Sequence, residues 1–222
     1  MKLKIWGEYG LFTRPETKAD PHTYPILTPS AAEGVLKAIF WKPEIDYVIH
    51  SITVLNPIRY QSIFRNMGQN KISPRTVQSW AKKDKTARYL ITDDRSQRHH
   101  VVLKNPAYVI EFSLKLSPHA TEPIDKYFAQ VSKRIERGQC YRQPCLGCRE
   151  YVAHFAPVDG SETIDPELLG TFKLGRILKK MHYIPDPKGS VEWFDSISKK
   201  IVKGRVLPEF FDAVMRDGVV QC

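Results

Sequence analysis

Residues 121–151 read TEPIDKYFAQVSKRIERGQCYRQPCLGCREY, and this stretch decides the fold: an amphipathic helix, then a glycine-marked basic loop, then a strand. Ile124, Tyr127, Phe128, Val131 and Ile135 fall on one face of a helix, while Lys126, Gln130, Lys133, Arg134 and Arg137 lie away from it. Gly138 ends the helix, because only glycine enters the left-handed cap without a side-chain penalty. Between residues 126 and 149, six Lys or Arg stand against one acid, Glu136. Positive charge beside a bend rich in backbone N–H groups suits a chain of phosphates.

Outward from this stretch the periodicities supply a repeating order. Residues 108–116 alternate cleanly, with Tyr108, Ile110, Phe112, Leu114 and Leu116 on one side, and read as a strand. Residues 47–60 are β-branched and aromatic enough for a long strand, with Pro57 marking an edge or bulge. Residues 30–41 read as a helix with a Ser30–Glu33 capping box, ended by Pro43, and Leu3 and Ile5 alternate with lysines in a short first strand. Residues 146–155 supply the last strand. The order strand, helix, strand, strand, helix, strand predicts an α+β, ferredoxin-like (RRM-like) βαββαβ domain over residues 1–156. Residues 61–100 are polar and basic and form a long hairpin insertion or mobile loop. Past Pro157, short apolar pieces at 172–178, 191–194 and 210–215 predict a smaller β-rich extension over residues 157–222.

The chain has 222 residues, 42% hydrophobic and 11% aromatic, enough to bury a core. No run approaches the roughly 18 apolar residues that span a bilayer, and MKLKIWGEYG lacks a signal-peptide core, so the expected location is the cytoplasm, away from membranes. Three of the four cysteines lie between Cys140 and Cys148, which is not a secreted disulfide framework and implies reduced thiols. The net charge of +10 points to a polyanionic partner, and it is concentrated: residues 59–104 carry eleven Lys or Arg against three Asp. Charge alone also predicts non-specific binding of duplex DNA.

Cys140, Cys145 and Cys148 with His154 offer soft ligands, but the spacing fits no usual zinc knuckle. On a strand Cys148 and His154 would lie about 20 Å apart, so no metal and no cofactor is expected. His99 and His100, beside Arg95 and Arg98, are candidates for nucleic-acid contact or acid–base work, or simply surface histidines. His22 and Tyr24 precede a helix N-terminus, which favours anions. No P-loop, dinucleotide fingerprint or zinc-protease helix is present. The signal is basic, aromatic and glycine-bearing, and it points at RNA or DNA.

At residues 12–16 (FTRPE), 28–43 (TPSAAEGVLKAIFWKP), Arg65 and Asn66, 136–151 (ERGQCYRQPCLGCREY) and 210–219 (FFDAVMRDGV), the sequence resembles the CRISPR-associated Cas proteins of the fifth family, subtype I-C (Dvulg). The resemblance runs the length of the chain. It implies a repeat-associated RNA-binding (RAMP) protein whose glycine-rich loop is residues 138–147. It implies an endoribonuclease that cuts the precursor crRNA within its repeat stem-loop, metal-independently through the ribose 2′-hydroxyl. The enzyme would then stay on the crRNA 5′ handle beside the other Cascade subunits; the alternative is a structural subunit that caps the handle without cutting. It further implies a tyrosine before Trp41-Lys42-Pro43 and a Lys-His pair early in the second helix, where this chain has Phe40 and Lys126-Tyr127. Lys126 is then the group that offsets phosphorane charge, and Tyr127, Tyr24 or His22 the proton-transfer group, with packing the other role open to Tyr127. The candidate RNA contacts are Lys42, Arg65, Arg137, Gly138, Gln139, Arg142, Gly147 and Arg149.

Overall fold

The computed structural model describes residues 1–17, 19–83, 86–195 and 197–222; among the charges counted above, Asp84 and Lys85 lie outside the described residues. The architecture is mixed α/β and dominated by sheet. Strand β1 (Lys2–Trp6) buries Leu3 and Ile5 and turns Lys2, Lys4 and Trp6 outward, as its alternation predicts. After the two-residue β2 (Tyr9–Gly10), helix α1 (Pro29–Ile39) begins one cap earlier than the sequence suggested. The Oγ1 of Thr28 accepts from the Ala31 N–H at 3.1 Å, and Pro29 sits at N1, where its missing N–H costs nothing. Glu33 pairs with Lys37 at 2.7 Å rather than closing a capping box with Ser30.

The stretch 47–60 is not one strand. Strand β3 (Ile45–Val54) ends before Pro57, and β4 (Tyr60–Gly68) belongs to a different sheet. Proline cannot donate to a ladder, and here it marks the switch between sheets. Residues 61–100 do form a hairpin: β4 pairs with β5 (Arg95–Lys104), with helix α2 (Pro74–Lys83) at the tip. Together with β2 they make a three-stranded sheet in the order β2-β5-β4.

Strand β6 (Ala107–Leu116) follows, buried along Tyr108, Ile110, Phe112 and Leu114, and then helix α3 (Ile124–Glu136). Tyr127, Val131 and Ile135 of α3 are buried, but Ile124 and Phe128 stay 39% and 45% exposed, so the apolar stripe only half enters the core. The predicted last strand shrinks to β7 (His154–Pro157). Residues 146–153 are irregular, tied by one bridge between Cys145 and Val152, because Leu146 and Ala153 are buried as coil against the neighbouring loop.

Strands β8 (Thr171–Pro185), β9 (Val191–Asp195), β10 (Lys200–Arg216) and β11 (Val219–Gln221) complete the chain. The main sheet runs β7-β1-β6-β3-β11-β10-β8, with β9 on β10, and every pair is antiparallel. The C-terminal strands therefore extend the first sheet through the β11–β3 pairing. Helix α1 packs on β3 and β8, and α3 on β6 and β7, so one core lies between helices and sheet.

The hairpin sheet docks on the rest through a polar clip. Arg65 on β4 binds Glu150 at 2.7 Å, and buried His100 on β5 lies beneath, its Nδ1 unpartnered. Burial and the Arg65 charge, against the weaker pull of Glu150 and Asp20, hold the His100 pKa below its ordinary value. The unfolded chain then takes up this proton more readily than the folded one. Stability should fall as pH drops through about 6.5 and on toward the lower folded value. Urea midpoints at pH 7 and pH 5.5 should differ for the wild type and converge in His100→Gln; an equal drop in both would contradict this role.

Candidate nucleic-acid interface and active site

The loop after α3 is held at both ends. Gly138 has φ +62° and closes α3 with two bonds, Gly138 N–H to Ile135 O at 3.2 Å and Gln139 N–H to Arg134 O at 2.9 Å, the paired pattern of a Schellman cap. The next residues turn to α1, whose last carbonyls have no partner within the helix. The Tyr141 and Arg142 N–H groups donate to Ala38 O at 3.0 and 3.1 Å, and the Arg134 guanidinium donates to Ile39 O at 2.9 Å. Arg134 also lies 5.2 Å over the Phe40 ring. At the far end Leu11 N–H donates to Leu146 O at 2.9 Å, and Gly147 has φ +89° with its Cα packed so tightly that a Cβ would lie 1.9 Å from Leu11 O.

This frame sorts the candidate residues into two groups at opposite ends of α1, which spans about 16 Å at 1.5 Å per residue. At the C-terminal end, exposed Lys42, Arg142, Arg137, Gly138 and Gln139 surround Trp41 and Tyr141, the latter 77% exposed. Residues 40–44 run from Arg134 toward the first turn of α3, where Lys126 is exposed and paired with Glu122 at 2.6 Å. The hydrogen bond and charge of Glu122 raise the Lys126 pKa, so the amine is cationic at neutral pH. Tyr127 is buried, and desolvation followed by the charge of Glu44 raises its phenol pKa.

Glu44, which was not among the sequence candidates, adjoins Tyr127. It is half-buried, its Oε2 is buried without a hydrogen-bond partner, and its charge acts on the Tyr127 hydroxyl. The signal available was its place directly after Trp41-Lys42-Pro43. Lys126, Tyr127 and Glu44 thus form a cation, a phenol and a carboxylate in one neighbourhood.

At the N-terminal end lie Tyr24, His22, Gly147, Arg149 and Arg65. Tyr24 is buried beneath Arg14, whose guanidinium sits 5.3 Å from its ring, and desolvation with the Glu16 charge raises its pKa. A cleft of about 270 Å³ between Tyr24, Thr28 and Gly147 opens beside it. His22 is exposed; its N–H donates to Thr17 Oγ1 at 3.1 Å and it bridges to Val101. Arg149 is exposed, whereas Arg65 is engaged by Glu150. Burial lowers the Arg65 pKa, but the hydrogen bonds and charges of Glu150 and Tyr151 together outweigh it and the net shift is upward. Tyr24 therefore lies at the opposite end of α1 from Tyr141 and Arg142.

On the hairpin, His99 is exposed and its ring lies 3.8 Å from that of Phe64, while His100 faces inward. Cys140, Cys145 and Cys148 are free thiols, and among the described residues no three His, Cys, Asp or Glu side chains are grouped to hold a metal. Also among the described residues, no helix is long and apolar enough to cross a membrane.

A family model described as CRISPR-associated protein (Cas_Cas5), in its Cas5d form, matches residues 1–222. A Thermus thermophilus protein named CRISPR pre-crRNA endoribonuclease Cas5d is 38% identical over 218 residues, covering 98% of this chain and 89% of that protein. A Mannheimia succiniciproducens protein of the same name is 39% identical over 225 residues, covering 99% and 93%. Among solved structures, a CRISPR-associated protein superposes with a TM-score of 0.65 at 18% identity, over 100% of this chain and 90% of that one. A functionally uncharacterized Streptococcus mutans protein, SMU1763c, gives 0.64 at 19% identity with the same coverage. These two superpositions bear on the fold alone.

The two loop glycines differ in what they tolerate. Gly138→Ala meets open space and should cost about 1 kcal/mol, for the left-handed backbone alone. Gly147→Ala drives a Cβ into the Leu11 carbonyl and should cost several times more. Urea denaturation of both variants checks this, and equal losses would contradict the built-in position of residue 147.

Proposed function

The chain belongs to the Cas5 family of CRISPR-associated proteins, and from that premise we propose that it is a precursor-crRNA endoribonuclease that remains in the Cascade surveillance complex. The observation that carries this reading is the near-full-length identity to two proteins named for that activity. The strand order β7-β1-β6-β3, with α1 and α3 on one face, supports treating residues 1–156 as a ferredoxin-like RNA-reading unit. Residues 157–222 are then an extension of its sheet with a separate role in the assembly.

The reaction we assign is transesterification. The ribose 2′-oxygen attacks the adjacent phosphorus, a pentacoordinate phosphorane forms, and the 5′-oxygen leaves with a proton. The products are a 2′,3′-cyclic phosphate and a 5′-hydroxyl, and no metal enters the step. Lys126 releases Glu122, a surface i,i+4 partner that a phosphate readily replaces, and stabilises the equatorial oxygens. Glu44 accepts the 2′-hydroxyl proton and Tyr127, protonated at neutral pH, supplies one to the leaving group. Lys42, Arg137, Arg142 and the Gly138–Gln139 turn hold the backbone on either side. Tyr24, His22, Gly147 and Arg149 hold RNA beyond the other end of α1, where they position rather than react. The repeat stem-loop is read through backbone shape and phosphates, with unpaired bases adding specificity.

Phe40 and Tyr127, in place of the tyrosine and histidine that the resemblance implies, favour one second reading: a subunit that caps the 5′ handle without cutting. Incubating the purified protein with its own genome's repeat RNA in EDTA separates the two. Cleavage to cyclic-phosphate ends is expected; intact RNA, fully bound at protein excess, leaves only the capping role. In the same assay Lys126→Ala and Glu44→Gln should each slow cleavage by about 10²-fold or more while changing affinity less than about threefold. Equal losses of rate and affinity would make Lys126 a phosphate contact only.

A further inference from the structure

We propose that Trp6 and His154 form a stacking site for an unpaired nucleobase, on the face of the main sheet opposite the helices. The proposal rests on the RNA-binding part of the reading above and is independent of cleavage. Side chains alternate along β1, so Leu3 and Ile5 enter the core while Lys2, Lys4 and Trp6 point to the other face. There Trp6 pairs in register with His154 of β7, and the two rings stack with centroids 5.8 Å apart and planes 29° from parallel. Trp6 is 37% exposed and His154 is exposed.

The part of that face next to Trp6 is covered. Val158 and Ile164 pack over Leu55, Ala107 and Val109, and Lys4 binds Glu162 at 3.4 Å. The stacked pair lies at the margin of this cover, where two depressions of about 440 and 400 Å³ meet, with Trp6 and Asn56 lining both. The Asn56 Nδ2 donates to the Asn105 carbonyl at 2.8 Å, and the Asn105 N–H donates to Glu8 O at 2.7 Å. Those bonds fix an amide side chain beside the aromatic step, with its carbonyl oxygen free to accept from a base edge.

The charges here favour a base over a phosphate. Glu8 lines the first depression, and Lys4, which lines the second, is paired with Glu162. Stacking needs no net charge, because every base presents a π-face. The position also continues the loop described above. Gly7 packs against the Val152 carbonyl, and the Ala153 N–H donates to Pro144 O at 3.0 Å, directly before His154. A strand whose phosphates lie on the loop therefore meets the Trp6–His154 step next.

The test uses the full chain and two probes: a 12-nucleotide polyadenosine RNA and an abasic ribose-phosphate chain of the same length. Trp6→Ala and His154→Ala should each weaken polyadenosine binding about five- to tenfold, leave abasic binding unchanged, and keep the salt slope of the wild type. Trp6→Phe should regain most of the loss, and urea midpoints verify that each variant is folded. Unchanged polyadenosine affinity in folded Trp6→Ala overturns the proposal, as does an equal loss for both probes. Loss of co-purifying protein subunits without any change in RNA affinity also overturns it, in favour of a protein contact. A wild type that binds polyadenosine with the expected preference but cuts no repeat RNA sinks the nuclease reading and leaves this site standing.

Discussion

The last carbonyls of α1 are buried, and the chain that satisfies them comes from a hundred residues further along. Helix ends leave four carbonyls without intrahelical partners, and a buried orphan is costly. Here the Tyr141 and Arg142 amides and the Arg134 guanidinium take those positions. The bonds join the loop to α1, the Schellman turn at Gly138 joins it to α3, and the Leu146 and Gly147 contacts join it to the segment around Leu11. The backbone of a basic, exposed loop is thus tied to the core, and its side chains leave from fixed positions. That is the condition for holding a phosphate within the tolerance that in-line chemistry needs.

Electrostatics then separates what is spent from what is available. Arg65 is committed to Glu150, and that pair braces the hairpin sheet against the loop. Arg137, Arg142, Arg149 and Lys42 are exposed, and Lys126 holds only a surface partner. Two buried polar atoms without a hydrogen-bond partner, Glu44 Oε2 and His100 Nδ1, sit close to the chain that carries these charges. Glu44 lies by Tyr127 in the first turn of α3, and His100 lies under the hairpin clip.

What the sequence disclosed was whatever a single periodicity controls. Helix α3 with its Gly138 stop, the alternating strand β6, the body of α1 and the existence of a hairpin between β4 and β5 were all legible. Three features were not, for separate reasons. Residues 47–60 look like continuous strand because both halves are β-branched, and nothing local states that Pro57 divides two sheets. Residues 146–153 look like strand because Leu146, Tyr151 and Ala153 are apolar, yet they are buried by the loop's own folding. Strands β8 and β10, 15 and 17 residues long, lack clean alternation because most of their side chains are exposed or half-buried. Among the candidate site residues, the basic ones of the loop were proposed from type and spacing and Lys126 from the resemblance. Glu44 was not, since a lone glutamate after a proline carries no pattern, and the placing of Tyr24 and Arg142 at opposite ends of α1 is a matter of tertiary geometry.

In the proposed reaction the RNA cuts itself through its own 2′-hydroxyl while a rigid basic frame holds it. Single-turnover cleavage of repeat RNAs carrying one 2′-deoxynucleotide at each position in turn tests this most directly. A single substitution, on the ribose 5′ of the scissile bond, should abolish cleavage while affinity stays within about twofold, and all others should be cut. Cleavage at the wild-type rate with that 2′-hydroxyl removed would contradict it.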